Sequence, residues 1–469
     1  MHYVSTRGDH AGCGFTDVLL AGLARDGGLY TPQRYPVLGH ASIAALAGLP
    51  YAEAALRVIA PFVGDDIEDA TLRPMLDAAY ASFRHPAVAP LAQIGDNLFV
   101  LELFHGPTLA FKDVAMQLLA RLMDQALRAR GQRATILGAT SGDTGAAAIE
   151  AFRGLAQADV FILYPHGRVS DVQRRQMTTV AAPNIHTIAV EGTFDDCQAI
   201  VKSLFNHHRF RDEVGLSGVN SINWARIVAQ VVYFFTSAVA LGAPHRAVSF
   251  AVPTGNFGDV LAGYVAKLMG LPISRLHVAT NANDILARCL ATGAYEMHSV
   301  IPTSSPSMDI QISSNFERVL FDALGRDAAA LRALMASLAQ SRRFTLAPDV
   351  LARLRAYFDA SATSETATKA EMTRTYKQSG YVLDPHTAVA VHAARAALAH
   401  DPATPMIVPG TAHPAKFPDA VQAATGTRPQ LPPHLADLME RREHFDVLVN
   451  DAALVERFIR ARASVRAPA

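Results

Sequence analysis

A largely parallel α/β architecture behind a small, mostly helical opening unit is the fold this sequence predicts, and three observations predict it. Beyond about residue 90, short apolar runs alternate with amphipathic helical patterns, the signature of parallel sheets covered by helices. Before residue 90 only helical periods occur, separated by Gly27-Gly28, Pro50 and Gly64. Between the two textures lies Phe83-Arg-His-Pro-Ala-Val-Ala-Pro90, where two prolines among small residues mark a boundary.

In chain order, the helical patterns of the first unit cover residues 16–23, 42–47, 51–60 and 68–83. Strands then follow at 98–104, 134–139, 160–164, 185–190, 248–252 and 276–279, as apolar runs too short for helices. Helices are expected between them at 113–130, 144–152, 195–205, 225–241 and 259–269. After Ile301 a polar stretch leads into further helices, and a late strand at 406–408 runs into Pro409-Gly410-Thr411. The expected division is 1–90 for the helical unit, 91–215 for a first α/β domain and 216–469 for a second. No fixed-period repeat occurs.

The 469 residues, half of them hydrophobic, can bury a sizeable core. Forty-two basic and forty-two acidic residues cancel without a long run of either sign, so neither nucleic acid nor an anionic membrane is an expected partner. A small molecule is. Cys13, Cys197 and Cys289 lack metal-ligand or paired spacing, no metal site is expected, and a reducing compartment fits. The N-terminus lacks the build of a signal peptide, and the most apolar stretch, 227–241, falls short of the roughly 20 residues that span a bilayer. A cytoplasmic protein, monomeric or a small homo-oligomer, is the expectation.

Ligands of open α/β sheets bind where strands end and helices begin, because helix N-termini present unpaired N–H groups there. Four such junctions are unusually polar and glycine-rich. The first is His105-Gly-Pro-Thr-Leu-Ala-Phe-Lys-Asp113, with a lysine among apolar neighbours in a chain that has six lysines against thirty-six arginines. A desolvated lysine can shed its proton where arginine cannot, as a Schiff-base nucleophile requires; a lysine that merely snorkels from a helix start is the bland alternative. The second, Ala139-Thr-Ser-Gly-Asp-Thr-Gly145, offers hydroxyls and free N–H groups to an anion such as a carboxylate, or is simply a polar cap. The third, Pro253-Thr-Gly-Asn-Phe-Gly-Asp259, is a candidate phosphate cradle without Walker or dinucleotide spacing. The fourth, Val408-Pro-Gly-Thr-Ala-His-Pro-Ala-Lys-Phe417, could turn Thr411 and His413 to a ligand, but reads alone as a proline-bearing turn with Lys416 exposed. Between them, Val219-Asn-Ser-Ile-Asn-Trp-Ala-Arg226 sets polar side chains and an arginine around the only tryptophan, a possible second phosphate grip or a solvated turn. His207-His208 has no ligand-spaced partner, and no GxSxG elbow is present.

Taken together and in this order, the four junctions closely resemble those of threonine synthases, and the resemblance runs nearly the whole chain. Tyr3-Val-Ser-Thr-Arg-Gly8 and Asp26-Gly-Gly-Leu-Tyr30 look like the family's helical N-terminal domain. The resemblance implies a fold-type-II pyridoxal phosphate enzyme, tryptophan synthase β-like. It implies that Lys112 carries pyridoxal 5'-phosphate as a Schiff base, while Gly255, Asn256, Phe257 and Gly258 hold its phosphate, Asp143 lies near its ring hydroxyl and Thr411 meets its ring nitrogen. Thr140, Ser141 and Thr144 would bind the substrate carboxylate, and Asn220, Ser221 and Arg226 the substrate phosphate. The implied reaction is a β,γ-elimination and replacement converting O-phospho-L-homoserine and water to L-threonine and phosphate. A lyase using the same substrate and releasing a keto acid would share every one of these motifs.

Overall fold

The computed structural model describes residues 1–9, 12–140 and 142–464. Its two main sheets have strands that are apolar on both faces, because helices cover both sides. Ala158–Pro165, Val248–Pro253 and Met406–Gly410 are buried at every position. The larger sheet has the order Phe358–Ala362, Ile273–Thr280, Val248–Pro253, Met406–Gly410, Leu98–Glu102 and Leu91–Gly95, parallel except for the last strand at its edge. The smaller has the order Asp446–Val449, Ile185–Glu191, Ala158–Pro165, Ala134–Ala139 and Leu216–Ser217, all parallel. No described helix is long and apolar enough to cross a membrane.

The chain does not divide between these sheets at residue 215. Leu91–Gly95 and Leu98–Glu102 belong to the larger sheet, whereas Asp446–Val449 returns from the far end of the chain to the edge of the smaller. Main-chain pairing at a sheet edge joins segments regardless of sequence distance, and hydrophobic periodicity does not encode it. The strand expected at 98–104 stops earlier, at Glu102, which is the last residue paired with Met406–Gly410, its ladder closed by the Leu103 N–H donating to the Gly410 carbonyl. Phe358–Ala362, with sequence FDASA, carries too little apolar signal to be read as a strand.

In the opening unit, helices Phe15–Ala21, His40–Ala44, Tyr51–Val63 and Asp69–Tyr80 accompany an antiparallel pair, Tyr3–Ser5 with Tyr30–Pro32, too short for a periodic signal. This unit is fastened to distant elements by buried polar bonds. Thr6 donates to Glu317 at 2.7 Å, Arg7 grips the same carboxylate, and Arg318 donates to the Tyr30 carbonyl at 2.8 Å. Helix Trp224–Ala240 is buried along almost its whole length and packs against Tyr51–Val63, Lys112–Ala129 and Gly258–Leu268. Its near-continuous apolar sequence follows from having protein on all sides.

Candidate active site

Lys112 is the first residue of helix Lys112–Ala129. The loop before it is fixed by Asp113, whose buried carboxylate accepts from Thr108 N–H at 2.8 Å and Thr108 Oγ1 at 2.7 Å. The same loop is zipped to the end of strand Met406–Gly410: Phe111 N–H donates to the Thr411 carbonyl at 2.8 Å, and His413 N–H to Leu109 at 3.0 Å. Parallel neighbours in one sheet end on the same side, so the first and fourth junctions meet. Thr411 and Lys416 thereby arrive beside Lys112.

Helix Asp143–Phe152 brings the next charge, with Asp143 Oδ2 at 3.7 Å from Lys112 Nζ. Gly145 lets this helix approach its sheet, since a Cβ there would lie 2.4 Å from Thr140 Cγ2. Lys416, expected to be exposed, is fully buried instead. Its ammonium lies 2.9 Å from Asp143 Oδ1 and donates to the Thr108 carbonyl at 2.7 Å and Gln176 Oε1 at 2.8 Å. Gln173 adds a hydrogen bond to Asp143 Oδ1 at 2.8 Å. Burial alone would raise the Asp143 pKa, but Lys416 and then Lys112 hold it well below the usual carboxylate range. Burial lowers the Lys112 pKa, Arg226 and Lys416 lower it further, and Asp143 opposes them.

Thr140 is buried, and its hydroxyl accepts from Gly142 N–H at 3.0 Å and Gly145 N–H at 3.1 Å, leaving one O–H to donate. Thr144 is half-buried in the first turn of the helix, and Ser141 lies outside the described residues. Thr411 Oγ1 is buried and has no hydrogen-bond partner among the described residues. Its N–H donates to Thr387 Oγ1 at 3.2 Å, and Thr387 is anchored by Asp384.

The third junction opens helix Gly258–Leu268, with Phe257 as N-cap in the left-handed region at φ 63°. That conformation costs a non-glycine residue roughly 1–2 kcal/mol. Burial of the ring against Phe316 and Phe358 offsets it. Gly255 faces the backbone of Ser307, whose carbonyl would stand 2.8 Å from a Cβ. Asn315 Nδ2 donates to the Asn256 carbonyl at 3.0 Å and the Ser221 carbonyl at 3.1 Å, coupling this loop to the segment before Arg226.

Arg226 is 3% exposed and donates through Nη1 to the Val219 carbonyl at 3.1 Å, while its Nε has no partner and no carboxylate pairs with it among the described residues. Burial pushes its pKa down to about 10, so it remains a cation at neutral pH. Ser221 is half-buried and Asn220 exposed; Asn223, from the same cluster, is spent on the Leu19 carbonyl and the cap of helix Trp224–Ala240. Lys416, Gln173, Gln176, Asn315 and Thr387 are the site residues that sequence reasoning missed. Only Lys416 carried a signal: it is as rare a lysine as Lys112 and stands in a recognised junction.

These groups fit pyridoxal phosphate. A lysine with a depressed pKa, an unpartnered hydroxyl at Thr411 and a helix N-terminus too close-packed for a Cβ at Gly255 match the needs of its aldehyde, ring nitrogen and phosphate. Comparison with known proteins agrees. Residues 2–80 match the family model described as "Threonine synthase N terminus", residues 83–410 "Pyridoxal-phosphate dependent enzyme", and residues 387–459 "Threonine synthase, C-terminal". A threonine synthase of Pseudomonas aeruginosa is 53% identical over 460 residues, 98% of each chain. The solved structure of a PLP-bound threonine synthase from Brucella melitensis superposes with a TM-score of 0.96 at 59% identity, covering 99% of this chain and 100% of that one. A yeast threonine synthase structure superposes with a TM-score of 0.94 at 39% identity over 98% of each chain. Both α/β sheets and the helical opening unit are thus those of a fold-type-II enzyme, and the chain belongs to the pyridoxal-phosphate-dependent threonine synthase family.

Proposed function

We propose that the chain converts O-phospho-L-homoserine and water to L-threonine and phosphate, as a carbon–oxygen lyase acting on a phosphate ester. The observation that carries this reading is Arg226, a buried guanidinium without a carboxylate partner among the described residues, whose charge is felt at Lys112. A buried cation of this kind calls for an anion from outside. The cradle at 255–258 would serve the cofactor phosphate, so Arg226, with Asn220 and Ser221, would serve the phosphate of the substrate.

When bound, pyridoxal phosphate supplies an electron sink for charge developing on substrate carbons. Lys112 would anchor it, the N–H groups of Gly255, Asn256, Phe257 and Gly258 would hold its phosphate, Asp143 would sit toward its ring hydroxyl, and Thr411 would donate to its ring nitrogen. A neutral hydroxyl there tempers the sink compared with a carboxylate. Thr140, through its remaining O–H, with Ser141 and Thr144 would orient the substrate carboxylate. Lys112 Nζ, as the neutral amine, would take the α-proton and carry protons between substrate carbons. Arg226 would stabilise the departing phosphate and keep it near the carbon that water attacks.

Incubation with O-phospho-L-homoserine should yield threonine and phosphate in equal amounts. Phosphate accompanied by a keto acid would assign the chain to the lyase reaction instead. Lys112→Ala should lose the visible absorbance of the lysine-bound cofactor, with turnover reduced by roughly 10²–10⁴-fold or more.

A further inference from the structure

Two lysines share one aspartate in this site, and geometry distinguishes which of them keeps its proton. The Lys416 ammonium has three N–H donors, and each meets an oxygen: Asp143 Oδ1 at 2.9 Å, Gln176 Oε1 at 2.8 Å and the Thr108 carbonyl at 2.7 Å. Lys416 is fully buried, so it has no water to replace any of these partners. Lys112 approaches the same carboxylate only through Oδ2, at 3.7 Å, longer than a hydrogen bond. Two cations and one anion in a buried cluster leave one positive charge uncompensated. The proton is more easily lost from the lysine with fewer acceptors.

We propose that Lys416 is a positioning residue, the permanent counter-ion of Asp143, which leaves Lys112 as the amine free to lose its proton and bond to the cofactor. If Lys112 were the sole partner of Asp143, the carboxylate would hold it as an ammonium. The buried carboxylate would then depend for its compensation on the one group that has to give up a proton to react. With Lys416 in place, Asp143 is compensated in both states. A second cation near an amine also depresses its pKa directly, in the same direction as the shift at Lys112. Besides these three groups, Arg226 faces Lys112, and Asp113 and His413 face Lys416. The variants below leave these other groups in place.

The inference rests on the reading of Lys112 as the cofactor lysine, and one experiment separates the two. The full-length chain is incubated with saturating pyridoxal phosphate at stepped pH, reduced with borohydride and digested, and the pyridoxylated fraction of each lysine is read by mass spectrometry. In the parent chain the label should fall on Lys112. In Lys416→Met the pH of half-labelling should rise by about one unit or more, equivalent to about tenfold less neutral amine at a given pH. In Lys416→Gln, which keeps a buried polar side chain without the charge, it should rise likewise, so the prediction stands even where Lys416→Met does not fold. Label on another lysine in the parent chain overturns the assignment of Lys112 and this inference with it. Label on Lys112 with an unmoved midpoint in a folded variant overturns the role of Lys416 alone.

Discussion

Burying a guanidinium without a carboxylate costs several kcal/mol unless an anion arrives to share the site. Arg226 is in that position, and its loss should be felt mainly in substrate binding. Arg226→Gln is expected to raise KM for the phosphorylated substrate about 10- to 100-fold, the worth of a charge-assisted hydrogen bond. Cofactor occupancy, read by absorbance, should be nearly unchanged. Asp259 presents the opposite problem, a buried carboxyl with only the Tyr233 hydroxyl donating to it and Oδ2 unpartnered among the described residues. Burial pushes its pKa up from 3.8 to about 7, with the Tyr233 bond opposing. The unfolded chain therefore loses this proton first, and the contribution to stability falls as pH rises from about 4 through about 7. In the cofactor-free chain, Asp259→Asn should shrink the decrease in melting temperature between about pH 5 and about pH 8. An equal decrease in parent and variant would count against this account.

At the scale of elements, the site is made by strand ends and loops that hold one another. Residues 103–113 and 410–417 are joined by main-chain bonds, whereas the cradle at 255–258 and the segment before Arg226 are joined through the side chain of Asn315. Asn315→Ala should therefore weaken both anion sites, raising the cofactor dissociation constant and the substrate KM each by several-fold, for about 1–3 kcal/mol of lost hydrogen bonding. The Ser313 hydroxyl donates to the Gly255 carbonyl at 2.7 Å, a side-chain bond to the cradle and not to the segment before Arg226. Ser313→Ala should change the cofactor constant and leave KM near its parent value, and parallel effects from both variants would refute this division of labour. His386 extends the same scaffold: Nε2 accepts from Ser307 N–H at 3.2 Å, so Nδ1 carries the proton toward Asp384 at 2.9 Å. These links were illegible in the sequence, because Asn315 and His386 stand in no motif and become relevant only through contacts made by folding.

For the whole molecule, the return of the chain's end to the smaller sheet has a direct consequence for stability. Val455 and Ile459 on helix Ala452–Arg462 are fully buried among Leu137, Phe161 and Ile188. Ile459→Ala should cost about 2–5 kcal/mol, as deletion of a large core side chain does. Denaturant unfolding measures it. A cost under about 1 kcal/mol would mean that this helix is not part of the cooperative core.

By itself the sequence determined the chemistry of the four junctions and the alternation that makes a largely parallel α/β fold, because turn residues and hydrophobic periods are local properties. The junctions around Lys112 and residues 255–258 stood out for that reason, whereas the fourth junction, with Thr411, stood out only through the family resemblance. Tertiary structure alone decided that Leu98–Glu102 and Asp446–Val449 cross between the halves of the chain, since strand pairing is chosen among distant segments. It also brought the charges of the site together. Lys416 looks like a surface residue in sequence, and only packing removes its water and sets it against Asp143. Desolvation and charge proximity are properties of three-dimensional surroundings, and no pattern along the chain records them.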